Sequence, residues 1–200
     1  MSTKELKIQI NPINIQSMSV TIVGQTPLIF NKFSEKAKQM IKDKVTKETK
    51  ANIKKEPKNP QQLYEDSFYY TKDGEVAFPA LNIKQAIVSA ARNVDGLPMT
   101  LLRGGVFVYG DQDGMIKVDY EKKEMREDMV RVGTFKDAAD IRFRGQVTGW
   151  SMTFMIKFNA DLFTAGQVIN LLNIAGFSGG IGEWRPEKNG DFGTFSVKLS

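Results

Sequence analysis

The chain has 200 residues, of which 41% are hydrophobic, and it contains neither cysteine nor histidine. Their absence excludes disulfides, thiol catalysis, histidine general bases and nearly all zinc sites. No run of about 18 apolar residues is present, and residues 1–16 lack the apolar centre of a secretory signal. We therefore expect one cytoplasmic domain over residues 1–200, with no cofactor and no membrane partner.

The positive charge is concentrated in one segment. The whole chain carries a net charge of +5, with a pI of about 9.3. Residues 32–58 alone carry +6, from ten lysines and four acidic residues, so the rest of the chain is close to neutral. Two interpretations stay open: a lysine-rich helix exposed to solvent, or a flexible clamp that attracts nucleic-acid phosphates without sequence preference.

In chain order, the first predicted element is a strand over Ser17–Gly24, where apolar and polar residues alternate. A helix capped by Ser34 follows, and residues 46–59 read as a linker. A hairpin is predicted over Phe68–Phe78, with its turn at Asp73-Gly74. The apolar face of the first helix is expected to contain Ala37, Met40, Ile41 and Val45.

The middle of the chain begins with a helix predicted over Leu81–Asn93. Strands are predicted within Gly104–Tyr120, Met129–Phe135 and Ile141–Phe158. Tyr120–Asp128 is dense in charges of both signs and is predicted to be an exposed loop or helix. In the last of these strands, the residues expected to face the core are Met152, Phe154, Ile156 and Phe158.

The last helix is predicted to begin with a capping box formed by Thr164 and Gln167. Its core face contains Val168 and Leu172, and Gly176 is expected to be its C-cap. A final strand is predicted over Asp191–Lys198, with a bulge near Gly193.

These elements predict a fold class. Residues 31–80 are expected to be an insertion that holds the basic helix, the linker and the hairpin. Without it the order is βαββαβ, an α+β, ferredoxin-like core that is shared with RNA-recognition modules. Its antiparallel sheet buries one face under two helices and leaves the other face open for binding.

The stretch 175–197, AGFSGGIGEWRPEKNGDFGTFSV, is the strongest candidate for a binding loop. Its glycines let the backbone approach a ligand closely, and successive N–H groups of such a loop favour anions such as phosphate. Trp184, Arg185 and Lys188 add a flat ring and two cations. The alternative interpretation is a helix end followed by a hairpin with a flexible tip.

Three motifs together resemble the RAMP superfamily, the repeat-associated proteins of CRISPR systems, and most of all its backbone subunits. Segment 78–92, FPALNIKQAIVSAAR, is similar to the first-helix signature of the family. Segments 180–182, GIG, and 190–195, GDFGTF, are similar to its glycine-rich loop, and 25–28, QTPL, also resembles the family. Ala80 and Asn82 depart from the glycine and serine that are usual in the helix. Uncharacterised tailed-phage proteins have a similar arrangement.

The resemblance implies binding of single-stranded RNA or DNA through the phosphate backbone, without catalysis and largely without sequence preference. It also implies assembly side by side, as a homo-oligomer or with CRISPR-like complex subunits. Trp184 or Trp150 offers a ring for stacking bases, although a core position is the stronger interpretation for Trp150. The expected nucleic-acid-binding residues are Lys84, Arg92, Arg142, Arg144, Gly180, Gly182, Trp184, Arg185, Lys188 and Gly193.

Two other functions are compatible with the sequence. Some RAMP proteins cleave RNA with a histidine or a loop aspartate, but this chain has no histidine. Asp137 and Asp140 offer carboxylates for Mg²⁺, yet a loop explains their segment more simply. A phage protein that blocks a host CRISPR complex through protein contacts alone is the other alternative.

Overall fold

Five α-helices and ten strands form the part of the chain that the computed structural model describes, which is residues 11–33, 35–46, 59–111, 113–131 and 139–198. The helices are α1 Glu35–Val45, α2 Pro60–Asp66, α3 Ala80–Ala90, α4 Met99–Gly105 and α5 Ala165–Ile174. The strands are β1 Ile15–Gly24, β2 Leu28–Ile29, β3 Tyr69–Tyr70, β4 Val76–Pro79, β5 Val106–Tyr109, β6 Met115–Lys117, β7 Lys122–Arg131, β8 Ala139–Thr148, β9 Ser151–Asn159 and β10 Phe195–Val197.

The strands form three antiparallel sheets, so the fold is mixed and contains the predicted kinds of element. Ser34, most of the predicted linker 46–59, and Asp137 lie outside the described residues. None of the described helices combines the length and the apolarity that crossing a membrane requires.

The largest sheet has the strand order β10–β1–β9–β5. Along β9 the residues Met152, Phe154, Ile156 and Phe158 are buried, as the alternation predicts, while the residues between them are exposed. Val20 and Ile22 of β1 lie opposite Phe154 and Met152 and are also buried. One face of this sheet therefore belongs to the core, because apolar side chains on alternate positions of adjacent strands share a face.

Helices α3 and α5 bury their apolar residues in the same core. In α3 these include Ile83 and Ile87, and a 3₁₀ turn at Ala91–Asn93 completes the helix predicted over Leu81–Asn93. The capping box at Thr164 is present, since its hydroxyl accepts from Gln167 N–H and the Gln167 side chain accepts from Thr164 N–H.

The prediction that Gly176 is the C-cap of the last helix is wrong. The helix continues through a π-helical turn, Ala175–Gly179, which is capped by Gly180 with a φ of 62°. A Cβ on Gly176 would lie 2.0 Å from the Phe195 carbonyl oxygen. Gly176 is therefore required by the close approach of β10 and not by a left-handed backbone.

The other two sheets have three strands each, in the orders β2–β8–β7 and β3–β4–β6. The predicted hairpin around Asp73-Gly74 is confirmed: β3 pairs with β4, and Gly74 has a φ of 80°. The final strand is shorter than predicted. Residues 191–194 form a loop because Gly193 N–H donates to the Pro27 carbonyl instead of to a neighbouring strand.

The prediction of an exposed loop or helix over Tyr120–Asp128 is also wrong. Strand β7 occupies most of this stretch and pairs with β8 from Lys122↔Thr148 to Arg131↔Ala139. Its charges are compatible with a strand because they meet complementary groups on β8. Asp128 bonds with Arg144, and Glu124 accepts from the Gln146 amide.

Two further differences concern apolar residues. Ile41 and Val45 of α1 are mostly exposed, so this part of the predicted apolar face does not enter the core. The side chains of Ala37 and Met40 are not among those that the structure describes. Trp150 is 1% exposed, and its indole N–H donates to the Thr26 carbonyl at 2.8 Å. Trp150 is thus a core residue and not a stacking platform.

Candidate nucleic-acid interface

A groove of about 590 Å³ lies between α3 and the Gly-rich loop that follows α5. Lys84 and Ser89 line it from α3, Gly182 and Arg185 line it from the loop, and Arg103 lines it from the end of α4. The helix motif and the glycine motif, which are far apart in the sequence, therefore form the two sides of one groove.

The backbone N–H groups of the loop form hydrogen bonds with carbonyl groups of the same chain. Gly180 N–H donates to Ala175 O, Ile181 N–H to Gly193 O, and Glu183 N–H to Ile29 O, at 2.8–3.0 Å. These amides are already used within the fold. Anions in the groove would therefore meet the side chains on its walls before they met these N–H groups.

Gly193 shows why glycine is needed in this loop. Its φ is 66°, and a Cβ would lie 1.8 Å from the Ile181 carbonyl oxygen. The group that lies close to Gly193 is thus protein backbone. Gly193 fixes the conformation of the loop but does not line the groove, whereas Gly180 and Gly182 do.

Lys84 stands at the α4 side of the groove. Its ammonium donates to the Arg103 carbonyl at 3.0 Å and lies 3.8 Å from the centroid of the Phe107 ring. Burial lowers the pKa of Lys84, because a desolvated ammonium is less favourable. The exposed Arg103 side chain adds a second cation at the same place.

The loop side of the groove carries a chain of ion pairs. Arg185 donates to the Gly182 carbonyl at 3.0 Å and to Glu187 at 3.0 Å, and Arg92 reaches Glu187 at 3.3 Å. Burial alone would raise the pKa of Glu187, but hydrogen bonds from Arg185 and Ser89 hold it below its ordinary value. Arg92 therefore sits at the margin of the groove, and Glu187 offsets part of the positive charge.

Lys188 and Trp184 lie on the outer part of the loop. Lys188 ends a 3₁₀ turn over Pro186–Lys188, and its side chain is exposed. Trp184 is 36% exposed, has a φ of 52°, and donates its indole N–H to Asp128 at 3.3 Å. In the described part of the chain, neither residue lines the groove.

Asp128 joins the β7–β8 hairpin to the loop. Its carboxylate accepts from Arg126 at 2.7 Å and from Arg144 at 2.9 Å, in addition to the Trp184 bond. Burial would raise the pKa of Asp128, but the hydrogen bonds from both arginines lower it overall. Arg144 is 5% exposed, so the structure places it inside this network and not on a solvent-facing surface.

Arg142 lies in a second depression of about 360 Å³, next to Lys32 and 4.0 Å from Asp140. Asn31 lines both this depression and the groove, and its amide donates to Glu183 at 2.8 Å. The two hollows are therefore neighbours, although Arg142 and Lys84 do not share one cavity.

Sequence reasoning missed Arg103, Arg126 and Asp128. Arg103 follows a short apolar run, Leu101-Leu102, which predicts a buried segment and gives no sign of a groove. Arg126 and Asp128 do have a signal. Their spacing of two, repeated by Arg142 and Arg144, is what a charged cross-strand pairing requires.

Carboxylates do not gather in this region. Among the described residues, no three Asp, Glu, His or Cys side chains are grouped closely enough to hold a metal ion. Asp140 lies beside Arg142 on β8, and both line the second depression.

No known protein family matches the sequence, and no curated protein is similar to it in sequence. Solved structures are similar in fold. A chain in the structure of the type III-B Cmr-beta bound to cognate target RNA has a TM-score of 0.58 over 92% of this chain, at 10% identity. Cmr6 from Pyrococcus furiosus covers 94% of this chain and 100% of its own, with a TM-score of 0.43 and 9% identity.

At this identity the likeness to the Cmr-beta chain concerns the fold alone. The match covers 59% of that chain, so this protein spans less than two-thirds of its length. The fold of this protein is thus similar to the fold of a chain in a Cmr-beta structure.

Proposed function

We propose that this protein binds single-stranded RNA or DNA in the groove between α3 and the Gly-rich loop, without catalysis and largely without sequence preference. One observation carries the proposal: two motifs that are distant in sequence line one groove with Lys84 and Arg185, and Arg103 of α4 adds a third cation to it. Cations on both walls suit a phosphate backbone, which has the same charge whatever the base sequence.

The arrangement of the largest sheet supports a ferredoxin-like core, which is part of the proposal. Along the chain, its strands and the two helices packed on it come in the order β1, α3, β5, β9, α5, β10. Within the sheet, the strands lie in the order β10–β1–β9–β5. This order is the one expected of a βαββαβ plan with the first and third strands in the centre. RNA-recognition modules use the same plan.

The likeness to a Cmr-beta chain in an RNA-bound structure supports RNA as the first strand to test. It also supports a place beside other subunits or other copies of this chain. Contacts with protein alone, as in a blocker of a CRISPR complex, are a weaker explanation, because such contacts give no reason for cations on both walls of a groove.

The proposal is tested by replacing Arg103, whose side chain is exposed and lies on the groove wall. Arg103→Gln should weaken binding to oligouridine by about tenfold to a hundredfold, because a charge-assisted hydrogen bond contributes roughly 1.5–3 kcal/mol. The slope of log K against log salt should become shallower by about one unit or less, since one phosphate contact is lost. Fluorescence anisotropy at several salt concentrations measures both quantities.

Lys117→Gln is the matched control. Lys117 is also exposed and lies outside the groove. It belongs to β6 and forms an ion pair with Glu75, which lies between β3 and β4. This variant removes one charge from the whole chain but should leave affinity and slope close to wild type. Wild-type affinity that is independent of salt, or equal effects of the two variants, would contradict the proposed groove.

The non-catalytic part is tested separately. The absence of histidine from the chain supports it, and so does the lack of a grouped carboxylate site in the described residues. Labelled RNA and DNA should stay intact with Mg²⁺ or Mn²⁺, as gel electrophoresis would show. Cleavage products that disappear in Asp140→Asn would instead assign the protein to the metal-dependent endoribonucleases.

A further inference from the structure

In the described part of the chain, the second face of the largest sheet has exposed side chains, and we call it the open face. On this face of β5 and β9 the exposed side chains include Phe107, Tyr109, Thr153, Met155 and Lys157. Each ring is more than 40% exposed, which is unusual for two neighbouring aromatic side chains on one strand. On β1 the same face carries the small side chains Ser17 and Ser19, opposite Lys157 and Met155, which are too short to cover the rings.

Each of the two rings has a lysine ammonium beside it. The Lys84 ammonium lies 3.8 Å from the centroid of Phe107, and that of Lys157 lies 4.9 Å from the centroid of Tyr109. In the β5–β9 register Phe107 is opposite Lys157, and Tyr109 is opposite Met155. Flat rings and cations thus alternate over a small area.

This chemistry fits one kind of partner. Aromatic faces stack with nucleobases, and the ammonium groups beside them are placed to meet phosphates. The β5 and β9 residues of this face include Lys157 but no acidic residue, so a second copy docking with the same two strands would bring like charges together. An anionic strand with exposed bases satisfies both the rings and the charges.

The face is continuous with the groove through Lys84, which lines the groove and whose ammonium lies against Phe107. We infer that a single strand leaving the groove crosses the edge strand β5 and stacks two bases on Phe107 and Tyr109, with Lys157 binding a phosphate between them. This inference rests on the proposed function and adds a second site to it.

The spacing of the rings sets the conformation of the strand. Phe107 and Tyr109 are two residues apart on a β-strand, which separates them by about 6.7 Å. Bases that are stacked in a helix are separated by about 3.4 Å. The two bases must therefore be unstacked from each other, and each ring takes one base, as a single strand permits and a duplex does not.

The test compares an oligouridine of about 12 nucleotides with an abasic strand of equal length, since both carry the same phosphates. Wild-type protein should prefer the strand with bases. The double variant Phe107→Leu/Tyr109→Leu should lose this preference and bind oligouridine about thirtyfold more weakly or worse, with an unchanged salt slope. Lys157→Gln should instead make the slope shallower by about one unit or less.

Tyr120→Leu is the matched control, because Tyr120 is 40% exposed and lies outside both the open face and the groove. Its affinity should equal that of wild type, and melting temperatures establish that all variants are folded. Ultraviolet cross-linking with peptide mapping gives a second measurement, and we expect cross-links to the β5 peptide.

The outcomes separate the two proposals. Salt-dependent binding that is lost in Arg103→Gln but keeps its base preference in the double variant would overturn the inference and leave the groove intact. Wild-type protein that binds neither strand would overturn both. A double variant that changes the oligomeric state but not the affinity would make the open face a contact between protein copies, and the inference would be wrong.

Discussion

Gly193 and Gly74 both have a positive φ, of 66° and 80°, but they differ in their surroundings. A Cβ on Gly74 would meet nothing within 4 Å, whereas one on Gly193 would overlap the Ile181 carbonyl. The two glycines thus separate the cost of a left-handed backbone from the cost of a steric overlap.

This contrast predicts two different losses of stability. Gly74→Ala should lower the free energy of unfolding by about 1–2 kcal/mol, the cost of the backbone conformation alone. Gly193→Ala also displaces the backbone at Ile181, for which about 1–3 kcal/mol more is reasonable. Denaturant unfolding measures both, and equal losses would mean that the loop adjusts around Gly193 without strain.

At the scale of elements, the Asp128 network connects two parts of the fold. Arg126 and Asp128 belong to β7, Arg144 to β8, and Trp184 to the Gly-rich loop. The ring of Phe192 lies 4.5 Å from the Arg126 guanidinium and adds a further contact between hairpin and loop. A change at Asp128 should therefore affect the loop as well as the hairpin.

Asp128→Asn should lower the free energy of unfolding by about 3–5 kcal/mol at neutral pH, because it leaves the buried Arg144 without its counter-charge. Glu127→Gln is the control, since Glu127 is the exposed neighbour of Asp128 on β7. Denaturant unfolding at pH 7 compares the two, and a loss confined to the level of Glu127→Gln would contradict the network.

The pH dependence follows from the lowered pKa of Asp128. A carboxylate whose folded pKa is below its unfolded value stabilises the fold fully above about pH 4, and this contribution is lost as the pH falls through the folded pKa. The difference in stability between wild type and Asp128→Asn should therefore narrow below about pH 4. A constant difference down to acid unfolding would show that folding does not lower the pKa of Asp128.

Elements whose pattern depends on burial could be predicted from the sequence. The alternation of β9 and the capping box of α5 are local, and each is decided by residues a few positions apart. Strand β7 was not predictable in this way because both of its faces are rich in charged residues, so no apolar period marks it. Strand β7 is stabilised by its pairing with β8, and this pairing depends on tertiary structure and not on the local sequence.

The candidate site was predictable in part for the same reason. Lys84 and Arg185 belong to recognisable motifs, and both line the groove. Arg103 belongs to the short helix α4, which carries no motif, and its position on the wall depends on how α4 packs beside α3. The burial of Arg144 was not visible either, because an arginine on an alternating strand is normally exposed.

At the scale of the whole molecule, binding through the phosphates predicts that several copies assemble along one nucleic-acid strand. If any stretch of backbone is an equivalent site, longer strands should hold more copies. Complexes with oligouridines of increasing length should gain mass in steps of one protein chain, each step needing roughly 4–16 nucleotides. Light scattering after gel filtration measures this, and a single copy on every length would contradict side-by-side assembly.

The two tryptophans of the chain give it a built-in optical readout. Trp150 is enclosed in the core, while the indole of Trp184 is partly exposed on the loop and bonded to Asp128. Emission from an enclosed indole reports unfolding, whereas emission from a partly exposed indole responds to aqueous quenchers. Trp150→Phe would leave Trp184 as the only fluorophore of its kind, so that movements of the Gly-rich loop on binding become visible in unlabelled protein.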